Sequence, residues 1–122
     1  MQNCFILPGL SMVEVPGVGA IAPNINTLAK KIREVGGKVI WTEHVYTPGW
    51  SSWYEHFTTE ESREKIVNDT AEGSFAREIW SGMDRKSEDL LITKTRSSAL
   101  TPGSSNLKEV LDDLAIDTLI IT

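Results

Sequence analysis

Three short apolar runs punctuate the chain: Val39-Ile40-Trp41, Leu90-Leu91-Ile92 and Thr118-Leu119-Ile120-Ile121-Thr122. Runs this short, rich in β-branched and aromatic residues, read as strands buried on both faces of a parallel sheet. A parallel sheet needs long crossovers between its strands, and the intervening segments supply them. Ile21, Ile25, Leu28, Ile32 and Val35 recur at helical spacing and predict a first helix. Pro23 suits its first turn, and Lys30, Lys31 and Arg33 lie toward the end that favours cations. Gly36-Gly37 supplies a left-handed stop. Leu107, Val110, Leu111 and Leu114 form a second apolar stripe. Either Ser105 or Asn106 caps this helix, and Glu109 is placed to complete a capping box with Asn106. The order is loop from Met1 to Pro16, helix, strand, long loop, strand, helix, strand. It predicts an α/β fold, mostly a parallel sheet with flanking helices and right-handed crossovers. Two weaker helical segments are expected at Thr59 to Val67 and Ser74 to Trp80, with Thr59 making no clean cap. The charges of the first of these form a solvated face.

The chain has 122 residues and a net charge of -5, which suits one soluble domain but is short for a complete doubly wound fold. The acidic balance argues against nucleic acid, whose phosphates demand a basic surface. No run of eighteen or so apolar residues crosses a membrane, and no signal peptide is visible. Cys4 is the only cysteine, so no internal disulfide forms, which fits a cytoplasmic protein.

The chemistry concentrates at strand ends. Lys94 closes the Leu90-Leu91-Ile92 run, where ligands of open parallel sheets bind. There an ammonium serves as a fixed cation or, if desolvated, as a proton donor. The bland alternative is a solvated lysine ending a strand. Glu43-His44 ends the preceding run in the same way. The loop from Val45 to Phe57 carries Tyr46, Trp50, Trp53, Tyr54 and Phe57 around Pro48-Gly49. Such a loop is a lid over a ligand or an oligomer interface, with a cover over one core edge as the alternative. His44 and His56 have no metal-ligand spacing, so neither metal nor other cofactor is expected. Gly17-Val18-Gly19 follows no predicted strand and makes no phosphate cradle.

Three stretches resemble the isochorismatase-like cysteine hydrolase superfamily. Met1-Gln2-Asn3-Cys4-Phe5 is similar to the family's Asp-Met-Gln-Asn-Asp-Phe. Lys94-Thr95-Arg96-Ser97-Ser98-Ala99-Leu100 is similar to its Lys-x-Arg-Tyr-Ser-Ala-Phe. Asp117-Thr118-Leu119-Ile120-Ile121-Thr122 is similar to the strand leading to its nucleophile. The resemblance implies a Rossmann-like three-layer sheet, incomplete over 1–122 and truncated before its first strand and after the strand leading to the nucleophile. It implies hydrolysis of a small carbonyl compound, of C–N amide or ureido type, by an Asp-Lys-Cys triad of which Lys94 alone is in this chain. The family aspartate would immediately precede Met1 and the cysteine would follow Thr122. Cys4 stands at the family's second acidic position and is not taken for the nucleophile. Phe5, His44, Trp53, Tyr54 and Arg96 are the implied substrate-binding residues. His44 occupies the place of a glutamine that touches substrate, with a hydrogen-bonded strand-end histidine as the alternative. Ser97 and Leu100 replace the family's aromatics and alter the pocket's shape. A small-molecule substrate and a homo-oligomer are expected. The competing expectation is a non-catalytic relative that acts as a binding or interaction module.

Overall fold

The structure is a computed structural model that describes residues 1–11, 13–47 and 56–122. Its centre is a parallel pair of strands, β1 (Ile40–His44) and β2 (Leu90–Lys94). The register sets Ile40 beside Leu90, Thr42 beside Ile92 and His44 beside Lys94. Val45 N–H extends the ladder to Lys94 O at 2.9 Å.

Side chains alternate across the strands, so each face gathers its own core. On one face Trp41 packs with Ala22 and Met83, joined by Met1, Ile25, Val39, Ile79 and Trp80. On the other Ile92 packs with Leu107 and Leu111, joined by Ile40, Ala99, Val110 and Ile116. Helices on opposite faces of a parallel pair make the layered α/β arrangement that the sequence predicts.

The first face is covered by α2 (Ala22–Glu34), entered through a 3-10 turn at Val18–Ile21. The apolar stripe is rotated from the expected one. Ala22 and Ala29 are its most buried members, whereas Ile21 and Val35 are exposed. The small side chain of Ala22 lets the start of the helix pack against Trp41. The stop forms as expected. Gly36 has φ +81°, Gly36 N–H bonds Arg33 O at 3.0 Å and Gly37 N–H bonds Ile32 O at 2.9 Å, a Schellman motif.

The second face is covered by α4 (Leu107–Asp113), with Leu107 and Leu111 buried. Ser105 caps it: its Oγ accepts from Leu107 N–H at 3.1 Å while donating to Ala99 O at 2.7 Å. Asn106 makes no capping bond, so the expected Asn106–Glu109 box does not form. The helix ends in a second Schellman pattern with Ala115, not glycine, in the left-handed position at φ 52°.

Several expected elements differ. The opening loop contains a short helix, α1 (Asn3–Ile6), and an antiparallel bridge from Gln2 to Ile79. The helix α3 (Glu60–Asp69) is capped by Thr59 after all, since its side chain accepts from Ser62 N–H at 3.2 Å. Ser74 to Trp80 forms turns, because its backbone is drawn into bonds with the chain's start: Asn3 N–H to Glu78 O and Cys4 N–H to Ala76 O, both at 2.8 Å. Thr118–Thr122 forms no strand. Ile120 and Ile121 are 63% and 82% exposed, and an apolar run becomes a strand only where a neighbour offers a ladder.

Candidate active site

Lys94 and His44 are the last residues of their strands and lie directly opposite in register. Both therefore stand at the carboxyl ends, on the face that α4 covers. Lys94 Nζ lies 3.3 Å from His44 Nδ1 and donates to Ser97 O at 2.8 Å and Arg96 O at 3.2 Å. The turn that presents these carbonyls is itself held. Thr95 N–H bonds Ser104 O at 3.0 Å and Arg96 N–H bonds Ser104 Oγ at 3.1 Å. Burial lowers the Lys94 pKa from the ordinary lysine value.

His44 is buried. Its ring stacks on Tyr46 with centroids 4.1 Å apart and an 11° interplanar angle. Burial, and secondly the charge of Lys94, push its pKa down to about 4, so the imidazole is neutral at neutral pH. Its main chain is clamped by Gln2. Gln2 Nε2 donates to His44 O at 3.0 Å, and Gln2 Oε1 accepts from His44 N–H at 2.7 Å. Gln2 Nε2 also donates to Arg77 O at 2.9 Å. Tyr46 N–H is anchored to the Thr70 hydroxyl, at the end of α3, at 3.0 Å.

Of the expected site residues, the structure brings Lys94 and His44 into contact. Arg96 joins them through its carbonyl oxygen and is itself exposed. Phe5 is half-buried on α1, where its carbonyl accepts from Val15 N–H at 2.9 Å. Trp53 and Tyr54, like Trp50, lie outside the described residues. Cys4 is fully buried, and burial first of all pushes its thiol up to about 11. A thiol so placed stays protonated and is a poor nucleophile. His56 is exposed, and among the described residues no group of three or more His, Cys, Asp or Glu converges to hold a metal ion.

Glu43 points to the opposite face. There its buried carboxylate takes Arg77 Nη2 at 2.5 Å and the Thr93 hydroxyl at 2.7 Å. Burial alone would raise its pKa; the bonds from Arg77 and Thr93 outweigh that and hold it below the usual carboxylate value. A cleft of about 440 Å³ lies beside it, lined by Glu43, Trp80, Met83, Arg85 and Leu91 among others. Glu43 is thus an internal ion-pair partner rather than a neighbour of Lys94.

Reading the sequence alone names Gln2 only within the opening motif and Tyr46 only as one ring of the aromatic loop, and it passes over Arg77. Gln2 sits inside the opening motif, and a buried amide there could have been expected to seek backbone partners. Nothing in local spacing marks the Tyr46 stack or the Arg77 pair.

The isochorismatase domain model matches residues 1–122, and the chain belongs to that family. Among solved structures it is similar to an isochorismatase family protein from Desulfovibrio vulgaris subsp. vulgaris str. Hildenborough, with 25% identity and a TM-score of 0.73, covering 100% of this chain and 62% of that one. It is also similar to a cysteine hydrolase from Pseudomonas syringae pv. phaseolicola 1448A, with 19% identity and a TM-score of 0.76, covering 96% and 52%. A third likeness is to N-carbamoylsarcosine amidase from Thermoplasma acidophilum, with 17% identity and a TM-score of 0.71, covering 97% and 60%. The chain therefore spans 62%, 52% and 60% of these relatives' lengths. No curated protein matches it.

Proposed function

We propose that these residues supply the lysine of an isochorismatase-family hydrolase that cleaves a C–N bond in a small amide or ureido compound. The observation that carries the reading is the Lys94 ammonium, partly desolvated at the carboxyl end of β2 and aimed by fixed acceptors. Such a cation holds a nearby carboxylate ionised and stabilises negative charge developing on a carbonyl oxygen. Support for the bond type comes from the N-carbamoylsarcosine amidase among the similar structures. The nucleophile in this reading is a cysteine outside the 122 residues, partnered by an aspartate also outside them, because Cys4 is buried and protonated. Phe5, Arg96, Trp53 and Tyr54 belong to the proposed substrate pocket. The proposed setting is cytoplasmic.

Ammonia release from carboxamide and carbamoyl compounds tests this. In the polypeptide that includes the flanking segments, Lys94→Ala should cut turnover about 10²–10³-fold. Unchanged turnover would remove Lys94 from the chemistry. The 122 residues alone should be inactive, and turnover there that Lys94→Ala abolishes would place all the necessary groups within them. A second reading, a non-catalytic interaction module, draws on the exposed apolar Leu119–Ile121 run. It predicts no turnover with or without the flanking segments.

A further inference from the structure

An ammonium has three hydrogens, and three polar atoms stand around Lys94 Nζ: the carbonyl oxygens of Ser97 and Arg96, which accept from it, and His44 Nδ1 at 3.3 Å. Two of them come from the turn after β2 and one from the neighbouring strand. A lysine stem is flexible, so only fixed acceptors give its charge a direction. The His44 ring is fixed in three ways, by its strand register, by its stack on Tyr46 and by the Gln2 clamp on its backbone.

We infer that His44 is a positioning residue for Lys94, its Nδ1 accepting one ammonium hydrogen and so aiming the charge along the strand ends. The functional weight of this rests on the hydrolase reading above; the hydrogen bond and its direction do not. With Nδ1 accepting, the neutral ring carries its hydrogen on Nε2. Protonating the ring would turn Nδ1 into a donor and set two cations against each other, releasing Lys94. The low pKa of the buried ring keeps it neutral at the pH where Lys94 is charged. Among the described residues, Lys94 on β2 is the charged group set against the ring and Tyr46 is the titratable group stacked on it, while Gln2 meets the His44 main chain with a neutral amide.

Nitrogen NMR of the protein decides the point without any assay of turnover. At neutral pH, His44 should show an unprotonated Nδ1 and a protonated Nε2. Its titration midpoint should lie near 4 and rise by about one unit in Lys94→Met. A protonated Nδ1 in the parent protein, or a midpoint indifferent to Lys94→Met, overturns the inference. A second comparison uses the conservative variant. His44→Asn places an amide oxygen close to the position of Nδ1 and should preserve the Lys94 Nζ resonance, whereas His44→Leu should shift it. In the active polypeptide, His44→Leu should lower kcat with KM little changed, and His44→Asn should recover most of the loss. A rise in KM with kcat unchanged would make His44 a substrate contact and sink the positioning role. Failure to find any hydrolysed amide would defeat the hydrolase reading and leave the NMR result standing on its own.

Discussion

Asp89 is a carboxylate that burial should neutralise, yet four donors keep it charged. Arg33 Nε and Nη2 reach it at 2.8 and 2.5 Å, Trp41 Nε1 at 2.8 Å and Lys86 N–H at 2.9 Å. Burial would raise its pKa; the Arg33 fork, Lys86 N–H and Trp41 together bring it down to about 2. His44 is depressed too, to about 4 from 6.5. Both shifts act in the same sense. Each unfolded group binds a proton more readily than the folded one, so stability falls as pH falls. The His44 contribution, about 3 kcal/mol, is lost between pH 6.5 and 4. That of Asp89, about 2 kcal/mol, is lost between pH 3.8 and 2. Urea midpoints measured across pH 7 to 2 should therefore decline in two limbs. His44→Asn should flatten the upper limb. Asp89→Asn should flatten the lower one and cost about 2 kcal/mol at neutral pH, by leaving the Arg33 guanidinium only the more exposed Asp84 carboxylate at 3.4 Å. The sequence shows Arg33 only as a cation near a helix end. Its partner is 56 positions away, and no local spacing reveals a pair closed by tertiary packing.

The strands and helices were largely legible, because their signals are local. The Gly36-Gly37 stop, the Ser105 cap and the β2 run ending at Lys94 all form as their residues predict. What was not legible depends on neighbours. Ser74 to Trp80 had enough apolar residues for a helical turn, but its carbonyls are taken by Asn3 and Cys4. Two element-scale outcomes follow from this division. Gln2 gives the free edge of β1 the pair of bonds that a neighbouring strand would otherwise give it, using a side-chain amide. Gln2→Leu leaves the buried His44 N–H and C=O without those partners. It should cost about 2–4 kcal/mol, and the His44 amide should exchange faster with solvent. Ala115 ends α4 with a positive φ that glycine accepts more readily. Ala115→Gly should raise stability by about 0.5 kcal/mol, read as a small increase in Tm. A decrease in Tm would show that the chain's added freedom when unfolded outweighs the relieved strain.

Across the whole molecule, charge and apolar surface pull in different directions. A net charge of -5 favours dispersal, and no helix among the described residues is long and apolar enough to cross a membrane. Yet Leu119, Ile120 and Ile121 stand exposed in a row without a charge between them. Such a segment seeks a ladder in another chain. Sedimentation of the 122 residues should show association that grows with concentration, and Ile121→Lys should weaken it without moving Tm. Association unaffected by Ile121→Lys would locate the contact elsewhere. The expected homo-oligomer is tested by the same experiment. In the candidate site, the position of Lys94 at a strand's carboxyl end was legible from the apolar run before it, and its contact with His44 was not, since only the pairing of the strands brings their ends together.

Because His44 and Lys94 meet across a parallel pair, two groups separated by 50 in the chain's numbering stand 3.3 Å apart. The sheet register sets the two strand ends side by side, and from the interval between them Tyr46 steadies the His44 ring. In the proposed hydrolase, exchange of residues beyond Tyr46 would change which molecules are admitted while leaving the ammonium where it is. Selectivity and chemistry in such a design can evolve on separate clocks.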